Sequence, residues 1–423
     1  MRVTPRRSGA RMVGVAVATL ALLAASACSR GASANWRTAG SPQVQAGQAG
    51  GSTPKKKAPG EFTITPATGT AEMSVLDRVA VTAKDATLQT VTVTNAEGKP
   101  VKGELSADNL GWKSSEDLGY AKQYTVNASG VNSAGQPITA TSTFTTLKPA
   151  EQTMPYVRAS DTHLLKERST YGVGQTIQIY FDEKVDKAAV QKLLQVTTNP
   201  PTEGGWYWHS AQKAEWRSAK YLAPGTTVSV KADLYGKDLG KGTYAQADIS
   251  GSFKVGPSHI AIADANTKMM QVFVDGALAR TIPVSMGRGG GKTLPTGEKI
   301  NYFTNSGPHV VLDKSATTRM TSSSYGVKDP KDPDYYDEVI KLTGRISNSG
   351  EYFHLADWHT MFGKANVSHG CINLPPGQAQ WMYDLFQPGD IVDVRGTPVR
   401  LGVTNGNGGW TLSWAQWQAG SAL

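Results

Sequence analysis

The sequence predicts a mostly β chain built as a series of modules. Three observations carry that reading. Alternating, β-branched runs recur between Gly, Asn and Asp turns from 61 to 256. Further on, one short stretch after Pro375-Pro376 offers a helical face. The 423 residues exceed one ordinary core, and two widely separated cysteines leave each module to hold itself by apolar burial.

The N-terminus reads as an export signal. Arg2, Arg6, Arg7 and Arg11 precede an apolar, alanine-rich run from Met12 to Ala27. The run ends in Ala25-Ser26-Ala27-Cys28, where small residues suit ordinary cleavage. A cysteine at that place also resembles a lipobox, with Ala25 where leucine is usual, in which Cys28 is diacylated and becomes the new N-terminus. The run is short for a membrane span. Residues 1–28 are therefore expected to be a lipoprotein signal with lipidated Cys28, holding the chain in the cell envelope on the outer face of the cytoplasmic membrane. Residues 29–60 are rich in Gly, Ser, Ala, Gln and Pro and end near Lys55-Lys56-Lys57. Such a stretch cannot bury a core and reads as a flexible linker, with a coil dimension of about 30 Å.

Two immunoglobulin-like β-sandwich domains follow, at 61–150 and 151–256. In the first, strands are expected at Phe62-Thr63-Ile64, Val79 to Thr82, Thr90 to Val93, Tyr124-Thr125-Val126 and Ile138 to Thr146. The second offers Thr176 to Phe181, Thr227 to Val230 and Ile249 to Val255, with a short helix over Lys187 to Leu194. Trp206, Trp208 and Trp216 fit either a sugar-stacking surface or, more commonly, the cap of a sandwich core. No His, Cys and carboxylate set gathers in 61–256, so this region reads as a stalk.

The third module, 257–396, opens on a hairpin, His259 to Ala263 and Met269 to Val274 about an Asp264 to Thr267 turn. The Gly287 to Lys292 loop fails the spacing of a phosphate cradle. The helix through Phe386 presents Ala379, Met382, Tyr383 and Phe386 on one face, and Pro388-Gly389 stops it before a closing strand, Asp390 to Val394. Residues 397–423 form a Trp-rich tail, with Trp410, Trp414 and Trp417 read as packing rather than binding.

Chemistry concentrates at Cys371, in Val367-Ser368-His369-Gly370-Cys371-Ile372-Asn373. It is the one cysteine beyond the signal, with His369 two residues upstream and His354 seventeen upstream. A thiol of ordinary pKa near 8.5 attacks well at neutral pH when an imidazole takes its proton. Either histidine suits the base: His369 shares the face of an extended segment, and His354 arrives from another strand. A zinc set of Cys371, His369 and either His354 or His359 has poor spacing. The net charge of +9 is spread along the chain without a basic-aromatic cluster, which excludes nucleic acid and leaves anionic wall polymers and lipid headgroups.

The histidine, spacer and Ser368-His369-Gly370-Cys371-Ile372-Asn373 pattern resembles the signature of the L,D-transpeptidases, the YkuD-type peptidoglycan cross-linking enzymes. The modules upstream resemble the actinobacterial lipoprotein members. The resemblance implies a β-rich L,D-transpeptidase catalytic domain that needs no cofactor or metal. It makes Cys371 the nucleophile, His354 the proton donor and acceptor, and His369 a supporting group. The Gly370 and Cys371 backbone amides would hold the oxyanion, and a carbonyl near Leu355 would fix the His354 tautomer. Tyr336, Ser349, Gly350, Ser368 and Asn373 would meet the substrate, with Met320, Tyr325 and Trp358 lining the pocket. The segment 313–350 would be a mobile loop-like lid, and the tail would pack between the catalytic module and the one before it. Expected partners are peptidoglycan stem peptides, the membrane through its lipid anchor, and β-lactams of the carbapenem type as covalent inhibitors. The reaction would be a 3→3 cross-link through a thioacyl enzyme. Water or a protein lysine as acceptor, or a non-catalytic wall-binding lipoprotein, are the alternatives.

Overall fold

The computed structural model describes residues 59–423; the export signal, Cys28 and nearly all of the linker lie outside the described residues. The first sandwich packs a four-stranded sheet against a three-stranded one. The former runs Glu61–Thr65, Ala80–Lys84, Gly111–Ser114, Gly103–Leu105 in spatial order, and the latter Ala86–Asn95, Gln123–Asn132, Pro137–Thr145. Inward-facing Val81, Leu88, Val126 and Phe144, each at most 2% exposed, form its core. That is the burial that alternation demands of strands with one wet face.

The second sandwich pairs Ser169–Tyr171, Ile249–Val255, Thr227–Ala232 and Gln195–Asn199 in one sheet. Its other sheet is Gly204–Ser210, Lys213–Ser218, Ile177–Phe181 and Pro155–Arg158. Trp206 and Trp216 are cross-strand partners and, like Trp208, are buried in the core, so these rings offer no sugar-stacking surface. The helix Lys187–Gln191 is shorter than its expected span; Asp186 caps it by accepting from the Ala189 amide at 2.8 Å. The two sandwiches meet through tyrosines: Tyr120 donates to the Ala245 carbonyl at 3.0 Å, and Tyr235 donates to that of Leu118 at 2.6 Å.

The third module has two principal sheets. One is five-stranded, ordered Ala277–Pro283, Met269–Val274, His259–Asp264, Ile391–Arg395, Gly307–Val310. The expected hairpin pairs His259 with Val274 through Asp264 with Met269, and the closing strand lies parallel beside it. The other is four-stranded, ordered Asp313–Thr321, Asp337–Arg345, Tyr352–Leu355, Ile372–Leu374. The helix Gln378–Leu385 covers the core between them, with Ala379, Met382 and Phe386 fully buried against Phe353, Ile372 and Leu374. Tyr383, on the rim of that face, is half-buried under the Lys314 ammonium. Burial of Met382 and of Phe386 contributes about 1.5–3 kcal/mol each.

The junction between the second sandwich and this module is backbone against backbone. The amides of Gly172 and Gly174 donate to the carbonyls of Pro388 and Gly389 at 2.9 and 2.8 Å. A Cβ on Gly172 would lie 2.2 Å from the Asp390 nitrogen, so no larger residue fits that approach. The tail lies along the second sandwich. Its helix, Trp414–Gln418, begins in a Ser413/Gln416 capping box. Trp417 is fully buried and donates to the Gly205 carbonyl at 2.9 Å, while Trp410 donates to that of Gly174 at 2.8 Å. The buried Arg217 guanidinium stacks on Trp410, Trp414 and Trp417 at 4.7, 5.3 and 4.7 Å. Its desolvation lowers the Arg217 pKa to about 10.

Candidate active site

Two parallel strands set the geometry. Tyr352–Leu355 pairs with Ile372–Leu374 so that His354 stands beside Asn373 and Phe353 beside Ile372. Phe353 and Ile372 point into the core; the period-two alternation therefore turns His354 and Asn373 to the opposite face. Cys371 stands immediately before the second of these strands, two residues from Asn373. Gly370 makes the turn into the strand at φ 136°, a conformation that favours glycine. Ser368 locks the turn: its hydroxyl donates to the Cys371 carbonyl at 2.6 Å and accepts from the Gly370 amide at 3.1 Å.

The two reacting groups are both held neutral. Burial pushes the Cys371 thiol up to about 12; the Tyr352 backbone N–H opposes this, and the Glu351 carboxylate adds to it. The thiol donates to the Gly350 carbonyl at 3.8 Å. Burial lowers His354 to about 4. The Leu355 carbonyl accepts from His354 Nδ1 at 2.8 Å, which is the tautomer-fixing contact anticipated, and leaves Nε2 as the basic nitrogen. Trp358 stacks on the His354 ring at 5.9 Å and 20°.

The segment anticipated as a loop-like lid is a hairpin. Asp313–Thr321 and Asp337–Arg345 pair along their length, and a 3-10 turn, Ser322–Tyr325, folds its tip over the site. Beneath it lies a cavity of about 1150 Å³ with Cys371 in its wall. Met320 and Tyr325, expected to line the pocket, stand in the wall of that cavity, and so do Tyr336, Ser349, Gly350, His369 and Gly370. Tyr336 is raised to about 12, chiefly by burial.

Four residues stand differently from expectation. Trp358 is 55% exposed and stacks on His354, outside the cavity wall. Ser368 serves the turn, as described, and does not reach the cavity. Asn373 donates to His359 Nε2 at 2.9 Å and lies on the His354 side; its buried Oδ1 has no partner. The Gly370 amide is engaged by Ser368, which removes it from an oxyanion hole in this conformation. His359 is half-buried between Asn373 and Phe362. Among the described residues no cluster of His, Cys, Asp and Glu has a metal-holding arrangement.

His369 belongs to a knot that the sequence does not announce. Arg288 donates to His369 Nε2 at 2.9 Å and pairs with Asp334; Tyr302 donates to the other Asp334 oxygen at 2.9 Å. Lys292 pairs with Asp332. His369 is lowered by burial first and by Arg288 next. The glycine-rich loop thus fastens the hairpin tip. Arg288 and Asp334 are 46 positions apart, and no local pattern links them.

This arrangement, a thiol at the head of one strand and a buried imidazole on its parallel partner, beneath a hairpin, is that of an acyl-transferring cysteine enzyme, and the chain belongs to the L,D-transpeptidases. The family profile of the L,D-transpeptidase catalytic domain matches residues 258–394, and that of a bacterial Ig domain matches residues 70–238. The chain is 39% identical over 350 residues to L,D-transpeptidase 2 of Mycobacterium tuberculosis (strain CDC 1551 / Oshkosh), covering 81% of this chain and 80% of that protein. It is 32% identical over 369 residues to L,D-transpeptidase 5 of M. tuberculosis (strain ATCC 25618 / H37Rv), covering 86% and 77%. A solved L,D-transpeptidase in complex with imipenem aligns with a TM-score of 0.46 at 27% identity, over 57% of this chain and 99% of that one.

Proposed function

We propose that this chain forms 3→3 peptidoglycan cross-links, with Cys371 as nucleophile and His354 as base. The observation that supports His354 as the base is its geometry: a neutral imidazole, its Nδ1 held by Leu355, on the strand that pairs with the one Cys371 leads into. His354 takes the thiol proton as sulfur attacks the carbonyl joining the third and fourth residues of a tetrapeptide stem. The tetrahedral intermediate collapses, the C–N bond breaks, and D-Ala leaves with that proton on its amine. The side-chain amine of a second stem then attacks the thioester, giving up a proton to His354. A new amide forms and the thiol is regenerated. Carbapenems present a strained carbonyl to the same thiol and acylate it.

We also infer that Cys28 carries a lipid and that the folded part works outside the cytoplasmic membrane. The Ala25-Ser26-Ala27-Cys28 sequence and the linker composition support this. Stable anchoring then requires two or more acyl chains, since one myristoyl-sized chain binds marginally.

Incubation with purified disaccharide-tetrapeptide, read by mass spectrometry, tests the proposal. A dimer with loss of D-Ala is expected. Tripeptide alone makes water the acceptor, and no product from the wild type would overturn the reading.

A further inference from the structure

The turn at 347–350 supplies the carbonyl that the Cys371 thiol donates to, and it is held from outside the catalytic sheets. Arg345 braces it locally, donating to the carbonyls of Ser347 and Asn348 at 2.9 and 3.0 Å. Asn405, from the tail, accepts from the Ser349 amide at 2.9 Å and donates to its hydroxyl at 2.8 Å. Asn348 Nδ2 makes a weak bond to the tail's Thr404 carbonyl at 3.4 Å, and its shorter bond goes to a different module. Asn348 Nδ2 donates to Asp161 Oδ2 at 2.6 Å, and the other oxygen of Asp161 pairs with Lys213. Asp161 and Lys213 both belong to the second sandwich. Its loop is itself fixed, because Arg158 donates to the Asp161 carbonyl at 2.8 Å while its guanidinium lies on the Tyr180 ring at 4.6 Å.

We propose that Asp161 is a positioning residue for the transpeptidase reaction, acting through Asn348 to hold the Gly350 carbonyl against the Cys371 thiol. The inference rests on Cys371 being the nucleophile. The second sandwich then acts as the back wall of the catalytic turn and is more than a spacer. A charge-assisted bond from an anchored carboxylate holds an amide more rigidly than solvent does. A displacement of the order of 1 Å at a reacting atom costs up to about a hundredfold in rate.

The test compares the full chain with Asp161→Ala, Asp161→Asn and the exchanged pair Asp161→Asn/Asn348→Asp. In the exchanged pair the side-chain amide introduced at position 161 accepts from Lys213 through its oxygen and donates through its nitrogen to the carboxylate introduced at position 348. Turnover of disaccharide-tetrapeptide in Asp161→Ala should fall about tenfold in kcat, with KM within about twofold. Iodoacetamide labelling of Cys371, followed by peptide mass, should move the other way and speed up several-fold at neutral pH. The released turn admits water to the sulfur and withdraws the carbonyl that holds its proton. Asp161→Asn should behave like Asp161→Ala, and the exchanged pair should recover both readouts. Unchanged turnover and labelling in Asp161→Ala would overturn the proposal. So would a loss of turnover that tracks a fall in Tm while the labelling rate stays at the wild-type value. Failure of the exchanged pair to recover while its Tm is wild-type would also overturn it. If Cys371→Ala kept full turnover, the fault would lie with the nucleophile assignment, which the labelling experiment does not depend on.

Discussion

At the scale of residues, the resting site holds a thiol and an imidazole that are both uncharged. Its pH behaviour follows from the direction of each shift. His354 is depressed to about 4, so its free-base form is fully present at neutral pH and is lost only as pH falls toward that value. Cys371 is raised to about 12, so its thiolate fraction grows about tenfold per pH unit throughout the range below that. Iodoacetamide labelling of Cys371 in the resting enzyme should therefore climb without a plateau between about pH 7 and about pH 9. A plateau in that interval would identify a preformed thiolate. Substitutions separate the two histidines. Cys371→Ala should abolish turnover and any carbapenem mass adduct. His354→Ala should slow acylation by about a hundredfold or more, within the range of general base catalysis. His369→Ala releases Arg288 and the hairpin tip, and should raise KM more than it lowers kcat. Steady-state kinetics on tetrapeptide decides the order; a larger kcat loss in His369→Ala would move the base to it.

At the scale of elements, the tail offers a clear energetic test. Trp417 is fully buried between Tyr207, its stacked neighbour at 4.9 Å, and the Arg217 guanidinium. Trp417→Ala should cost about 3–5 kcal/mol. It should leave an under-partnered buried guanidinium, measurable as a lowered Tm and as proteolytic release of residues beyond 412. Stability within about 0.5 kcal/mol of wild type would mean that the tail is not part of the core. The elements most legible in the sequence are those with a clean period. Ile249–Val255, the 259–274 hairpin and the helix face of Ala379, Met382 and Phe386 all carry alternation or helical spacing that burial enforces. The lid hairpin is not legible as strands. Its residues are Thr-, Ser- and Lys-rich, and Val339 is 66% exposed, because most of the hairpin stands off the core and is held by pairing rather than burial. Gly111–Ser114 and Pro155–Arg158 escape notice for a related reason. Each is four residues long, too short to display a period.

At the scale of the whole molecule, the local motif around Cys371 and His354 is readable because His354 lies within, and Cys371 immediately before, two adjoining short strands. The Arg288–Asp334 knot and the Asp161–Asn348 brace are not, since sequence order says nothing about which distant loops will touch. These long-range contacts also change the meaning of the upstream modules. The first sandwich is linked to the second through Tyr120 and Tyr235, whereas the second supports the catalytic turn directly. Deleting 61–151 should therefore leave the acylation rate of the remaining chain within about threefold of the full chain. A large loss would give the first sandwich a direct part in the site. In cells, Cys28→Ala should move the protein from the membrane to the soluble or secreted fraction, and an unchanged distribution on fractionation would mean that the N-terminal signal is simply cleaved.

The glycine-to-glycine junction constrains descent. Because Gly172 admits no side chain where it meets Asp390, a second sandwich without that glycine would not seat against this catalytic domain. A recombination event joining this catalytic domain to a foreign sandwich would have to bring a matching glycine strand with it, or open the seam. The two modules should thus be inherited as one block, with crossover points that preserve function falling upstream of 152, where the sandwiches are joined by tyrosine contacts and not by a glycine seam.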